Sequence, residues 1–83
     1  METKVYPNPT TGQLTVDFIS YAGGNYNMTI TDLSGRMVLS EDVKAISGNN
    51  QHLLNLDNAI PGMYMLYIKD GNGIISVTKV TVE

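Results

Sequence analysis

Eighty-three residues make one domain, with no room for two. Cysteine is absent, which excludes a disulfide framework, a thiolate zinc site and a cysteine nucleophile. The net charge is −3 and the five basic residues, Lys4, Arg36, Lys44, Lys69 and Lys79, are scattered, which argues against a nucleic-acid partner.

Val, Ile and Thr number 22, Tyr and Phe add 6, and Ala appears only 3 times. β-Branched and aromatic residues suit a pleated, half-buried surface, whereas scarce Ala with frequent Gly and Asn disfavours helices. The composition predicts an all-β chain. No signal-peptide pattern shows in Met1-Glu2-Thr3-Lys4. Met1-Glu2 reads as a start placed ahead of a segment taken from something longer. The longest apolar run, Met63 to Ile68, is too short to span a bilayer, so no membrane insertion is expected.

Seven strand-like runs follow in chain order. The first, Thr3 to Tyr6, stops at Pro7-Asn8-Pro9-Thr10-Thr11-Gly12, where Asn8 caps a turn and two prolines stiffen the segment. The second, Gln13 to Ser20, alternates: Leu14, Val16 and Phe18 share one face, Thr15 and Asp17 the other. The third, Tyr26 to Leu33, sends Tyr26, Met28 and Ile30 one way. Gly35 then suits a left-handed position closing a hairpin, so the fourth run, Arg36 to Glu41, pairs back on the third.

Asp42 to Asn50 is the weakest for strand and is expected to be a loop crossing between sheets. The fifth run, Gln51 to Leu56, points Leu54 and Leu56 inward. After a corner at Asp57-Asn58-Ala59-Ile60-Pro61-Gly62, the sixth, Met63 to Lys69, points Tyr64, Leu66 and Ile68 inward. Asp70-Gly71-Asn72-Gly73 is a strong hairpin turn. The last run, Ile74 to Val82, changes phase between Ile75/Val77 and Val80/Val82, which predicts a bulge near Thr78-Lys79.

Seven short strands at this spacing imply a sandwich of two antiparallel sheets. The bend from Asp57 into Tyr64 resembles the tyrosine corner of immunoglobulin-like domains, in which the phenol hydroxyl bonds backbone upstream. The cysteine pair of true immunoglobulin domains is missing, so only the architecture, an immunoglobulin-like β-sandwich of about seven strands, carries over.

Catalytic constellations are hard to build from these residues. The one histidine, His52, alternates with Leu54 and Leu56 and reads as a strand-end side chain half covered by a loop. No nucleophile–base pair is apparent. Asp32, Asp57 and Asp70 sit in turns, where Asp bonds its own backbone, and Asp17 reads as a solvent-facing strand residue. Asp70-Gly71-Asn72-Gly73 lacks the spacing of a calcium loop, and Asn27-Met28-Thr29 matches the glycosylation pattern inside a strand. No catalytic, metal or cofactor-binding residue is assigned. Met63 and Met65, with Tyr67, share the face opposite Tyr64; if solvated, that face is an apolar patch of the kind that marks partner sites.

Four elements recur in a fixed order: Tyr6-Pro7-Asn8-Pro9 with Gly12 and Val16; Asp32-Leu33-Ser34-Gly35-Arg36; Ile60-Pro61-Gly62 with Tyr64 and Ile68; and Lys79-Val80-Thr81-Val82. Together they resemble the type A C-terminal sorting domain of the type IX secretion system, also called the Por secretion system, from Lys4 to Glu83. The resemblance implies a role rather than a reaction. Such domains follow a cargo domain in secreted proteins of Gram-negative bacteria of the Bacteroidota type and fold in the periplasm. The outer-membrane translocon recognises them and exports the cargo to the cell surface or the medium. A sortase-like peptidase then commonly removes them, and the cargo is often joined to an anionic lipopolysaccharide.

By the same resemblance, recognition falls on Pro7, Asn8, Pro9, Gly12, Gly35, Arg36, Pro61, Gly62 and on Lys79, Val80, Thr81, Val82 and Glu83. The final segment departs from the family in having Thr81 and an acidic end, where members often carry an aliphatic and a basic residue. Strand addition at an exposed edge near Lys79 is the expected physical mode. Unpaired edges and Met-rich strands also allow a weak homodimer. The alternative readings are an accessory sandwich of an extracellular enzyme or adhesin, binding carbohydrate or protein, and a spacer without recognition.

Overall fold

Alternation of apolar and polar residues makes each strand two-faced, and two such sheets bury their apolar faces against one another. The computed structural model describes residues 2–83 and shows this arrangement. The strands are β1 (Thr3–Tyr6), β2 (Gln13–Ser20), β3 (Gly24–Asp32), β4 (Met37–Ala45), β5 (Gly48–Asn55), β6 (Gly62–Asp70) and β7 (Gly73–Val82). A three-stranded sheet runs in the order β1-β2-β5 and a four-stranded sheet in the order β4-β3-β6-β7. All paired neighbours are antiparallel. This is an all-β, immunoglobulin-like sandwich, and it contains no helix among the described residues. The expectation that Met1-Glu2 is an added start falls partly on Met1, which lies outside those residues.

The core is assembled from the inward parity of each strand. Leu14, Val16 and Phe18 of β2 meet Met28 and Ile30 of β3 and Tyr64, Leu66 and Ile68 of β6, with Leu54, Val80 and Val82 closing the sides. Phe18 and Tyr26 meet edge to face with ring centroids 5.5 Å apart, a favoured geometry for the ring quadrupoles. Ser20 is buried among these apolar groups because the Tyr26 hydroxyl lies 2.8 Å away and the Gly23 N–H donates to Ser20 Oγ at 3.0 Å.

Two sequence expectations are corrected. Asp42–Asn50 is not a loop: β4 continues to Ala45, β5 begins at Gly48, and only Ile46 and Ser47 cross between the sheets. Asn50 makes so short a crossing possible. Its side chain accepts from the Ile46 N–H and donates to the Ile46 and Gly48 carbonyls, each near 3 Å, replacing bonds that the chain loses at the turn. The bulge of β7 is not at Thr78-Lys79 either. Lys69 pairs with Ile74 and Ile68 with Ser76, so Ile75 is the extra residue. Beyond it Ser76, Thr78, Val80 and Val82 face inward, and Val77 faces out. A bulge beside the hairpin absorbs the phase change without breaking the ladder opposite the core of β6.

His52 also departs from expectation. Its ring is covered by the opposite sheet rather than by a loop: its Nε2 lies 2.9 Å from the Glu41 carboxylate of β4. Both residues face the interior from edge strands.

Candidate functional site

β1, β3, β5 and β7 all end at the same pole of the sandwich, and β2, β4 and β6 begin there. The turns at this pole are Pro7–Gly12, Leu33–Arg36 and Leu56–Pro61, together with the final residues of β7. Glu2, Tyr21–Gly23, Ile46–Ser47 and Gly71–Asn72 lie at the other pole. Every residue singled out by the four sequence elements as a recognition candidate therefore falls at, or leads into, one end of the molecule.

Within that pole the first and last candidates touch. Asn8 Nδ2 donates to the Lys79 carbonyl at 2.9 Å, and the Thr81 N–H donates to Asn8 Oδ1 at 3.0 Å. One residue pair further on, the Thr10 N–H donates to the Thr81 carbonyl at 2.9 Å and the Glu83 N–H to the Thr10 carbonyl at 2.8 Å. The Asn8 amide thus stands in for the peptide group of a neighbouring strand, and Thr10 continues the pairing as a parallel bridge to Val82. This strap closes the outer edge of β7 from Lys79 to Glu83. The edge expected to be open there is already occupied. The Tyr6–Pro7 and Asn8–Pro9 peptide bonds are both cis.

Thr10 anchors the strap. Its side chain is buried, and its Oγ1 donates to the Gln13 carbonyl and accepts from the Gly12 N–H. Gly12 has φ +154°, and a Cβ there would come within 2.5 Å of Asp57 Oδ1, so the turn tolerates no side chain at that position without movement. The Gly12 carbonyl also accepts from the Leu56 N–H, tying the turn to the corner before β6. That corner is pinned as the sequence suggested: the Tyr64 hydroxyl donates to the Ile60 carbonyl. Gly62 pairs with Val82, which brings Pro61-Gly62 beside the terminal residues.

Gly35 and Arg36 lie at the tip of the β3–β4 hairpin, where Gly35 has φ +89°. Asp32 organises this turn. Its Oδ1 accepts from the Ser34 N–H at 2.9 Å, the Ser34 hydroxyl at 2.6 Å and the Arg36 N–H at 3.0 Å. The Ser34 hydroxyl, then the Arg36 N–H, hold the Asp32 carboxyl below its ordinary value. Asp32 pairs with Tyr64, so the hairpin leans on the tyrosine corner. The structure does not bring Gly35 or Arg36 into hydrogen-bonding contact with the strap. They share its pole, not its bonds.

Sequence reasoning missed Thr10 and Asp57. Thr10 sits among turn-formers, and nothing local signals that its backbone pairs with Val82. No group of three or more His, Asp or Glu side chains suited to a metal occurs among the described residues. An open depression of about 540 Å³ lies on the three-stranded sheet over Lys4, Asp17 and Gln51, and the exposed Tyr6 stands beside it, its hydroxyl donating to Asp17 Oδ2 at 2.8 Å. Tyr21, the most exposed aromatic, stands alone at the opposite pole.

Fold and pole together define a class: a β-sandwich whose distinctive features are turns and strand ends rather than a pocket. The chain belongs to the secretion system C-terminal sorting domain family, whose model matches residues 4–83. It is a sorting signal of the type IX secretion system, and that role implies secretion across the outer membrane. No curated protein matches the chain. Among the described residues no helix is long and apolar enough to cross a membrane.

Proposed function

We propose that the export machinery reads the folded pole built from Pro7–Gly12, Gly35-Arg36, Pro61-Gly62 and Lys79–Glu83. On this reading the domain folds in the periplasm and the translocon engages the pole. A sortase-like peptidase then cuts on the cargo side of β1, and the cargo is joined to the cell surface. The observation that carries the reading is the convergence of these elements, distant in sequence, at the end opposite Glu2. A cargo entering through Glu2 leaves that pole unobstructed, and a peptidase acting ahead of β1 works far from the translocon contact.

The test is export of a reporter fused ahead of Glu2. Deleting Lys79–Glu83 is expected to abolish export while the reporter stays folded in the periplasm. Because that deletion also removes Val80 and Val82 from the core, Arg36→Ala is the second variant. Arg36 is exposed, so the fold persists while the pole loses the cation at the hairpin tip. Export of both variants at the wild-type level would overturn the proposal.

A further inference from the structure

Edge strands offer unpaired N–H and C=O groups to any extended chain, and folded proteins guard them with charge, proline, inward-pointing ionisable groups or a covering segment. Here β1 and β5 border one sheet, β4 and β7 the other. Three of these edges carry such a guard. β1 has four residues, carries Lys4 and runs into Pro7. β4 turns Glu41 inward and β5 turns His52 inward.

The β7 edge is guarded over one half only. The strap takes the Lys79 carbonyl, both outward groups of Thr81 and the Glu83 N–H. Val77 is next in the same alternation, so its N–H and C=O point outward too, and no strand lies beyond it. The stretch Ile74–Thr78 holds no charge and no proline, and Ile74 and Val77 are 57% and 50% exposed. Such a segment at an open edge is a pairing template.

The neighbouring surface says what would pair there. Val77 lies beside Tyr67, Met65 beside Lys79, and Lys69 beside Ile74. Two ammonium groups therefore bracket an apolar row on the outer face, on a chain whose net charge is −3. We propose that Ile74–Thr78 is a strand-addition site for an extended segment of a partner protein, with apolar alternate residues flanked by carboxylates. Main-chain bonds to Val77 supply the affinity, and Lys69 and Lys79 select the acidic flanks.

This surface adjoins the strap at Lys79, but its test substitutes only Val77 and uses the purified chain, so its failure leaves the export reading untouched. The probe is a fluorescein-labelled peptide of sequence Glu-Val-Thr-Val-Thr-Val-Glu, titrated at low salt. Binding is expected, and the counterpart with lysine ends is expected to bind at least about tenfold more weakly, a difference of roughly 1.4 kcal/mol. Val77→Pro removes an outward N–H and no ladder bond, so the folded variant is expected to lose binding. Val77→Lys is the substitute if the proline variant does not fold. Slowed exchange of the Val77 amide on binding supports the site. No binding by the wild-type chain, or undiminished binding by a folded Val77 variant, overturns it. Concentration-dependent dimers that Val77→Pro abolishes would assign the edge to a second copy of this chain and overturn it as well.

Discussion

The Asp32 carboxylate is the acceptor around which the β3–β4 turn closes, taking three donors on one oxygen. Those donors favour the charged form, so its folded value lies below the ordinary 3.8. A depressed carboxylate stabilises the fold fully above its unfolded value, and the contribution is lost as pH falls through the folded value. Thermal melts of the wild-type chain from neutral pH into the range below 3.8 are expected to lose midpoint progressively. Asp32→Asn keeps an acceptor oxygen but no charge, and its loss over that window is expected to be shallower. Parallel curves would show that Asp32 contributes nothing to the acid response. Asp32 was legible as a turn residue from its place before Ser34-Gly35. Gly12 was legible as a turn glycine, but its second reason, the Asp57 side chain lying where a Cβ would go, depends on a residue 45 positions away.

At the scale of elements, the strap shows how a polar side chain can replace a strand. Asn8 presents an acceptor and a donor at the spacing of a peptide group and satisfies Lys79 and Thr81 together. Asn8→Ala leaves both backbone groups to water. It is expected to lower stability by about 1–2 kcal/mol, since each exposed bond is worth roughly 1 kcal/mol or less. Exchange of the Thr81 amide is expected to accelerate more than that of the core amides of β6. Unchanged exchange at Thr81 would show that Thr10 alone holds the edge.

The existence of seven strands was legible from a period of two kept over much of their length. The end of β4 and the start of β5 were not. Asp42, Lys44, Asn49 and Asn50 interrupt the apolar pattern there because both are edge strands, with a polar outer face and an ionisable residue turned inward. Local patterning reports a buried face, and it weakens where an edge is protected by polarity. The misplaced bulge has a similar origin. The parity change in β7 is visible in the sequence, but the extra residue's position is set by pairing with Ile68 and Lys69 of β6.

For the whole molecule, the proposed reading gives the two poles different work. The described residues form a body of 35 × 22 × 17 Å, with entry from Glu2 at one end and the strap at the other. Insertions at the two exposed hairpin tips separate these ends experimentally. A short Gly/Ser insert between Gly71 and Asn72 is expected to leave export of a fused reporter intact. The same insert between Leu33 and Ser34, beside Gly35 and Arg36, is expected to reduce it, with both variants folded by circular dichroism. Equal export from the two would show that the hairpin tip plays no part. The individual motifs were readable one by one, but their meeting at one pole was not. Periodicity and turn chemistry describe neighbours in sequence, whereas Asn8 and Thr81 are neighbours only after both sheets have formed.

The strap also sets an order in time. Asn8 waits through 73 positions of chain before Thr81 exists to receive it. A chain lacking Thr81 is able to make most of its pairings but never this one. Contacts of such long range form late, because the loop they close must be fixed first. The contact therefore forms only in a chain that extends through Thr81 and has folded β7 into its sheet.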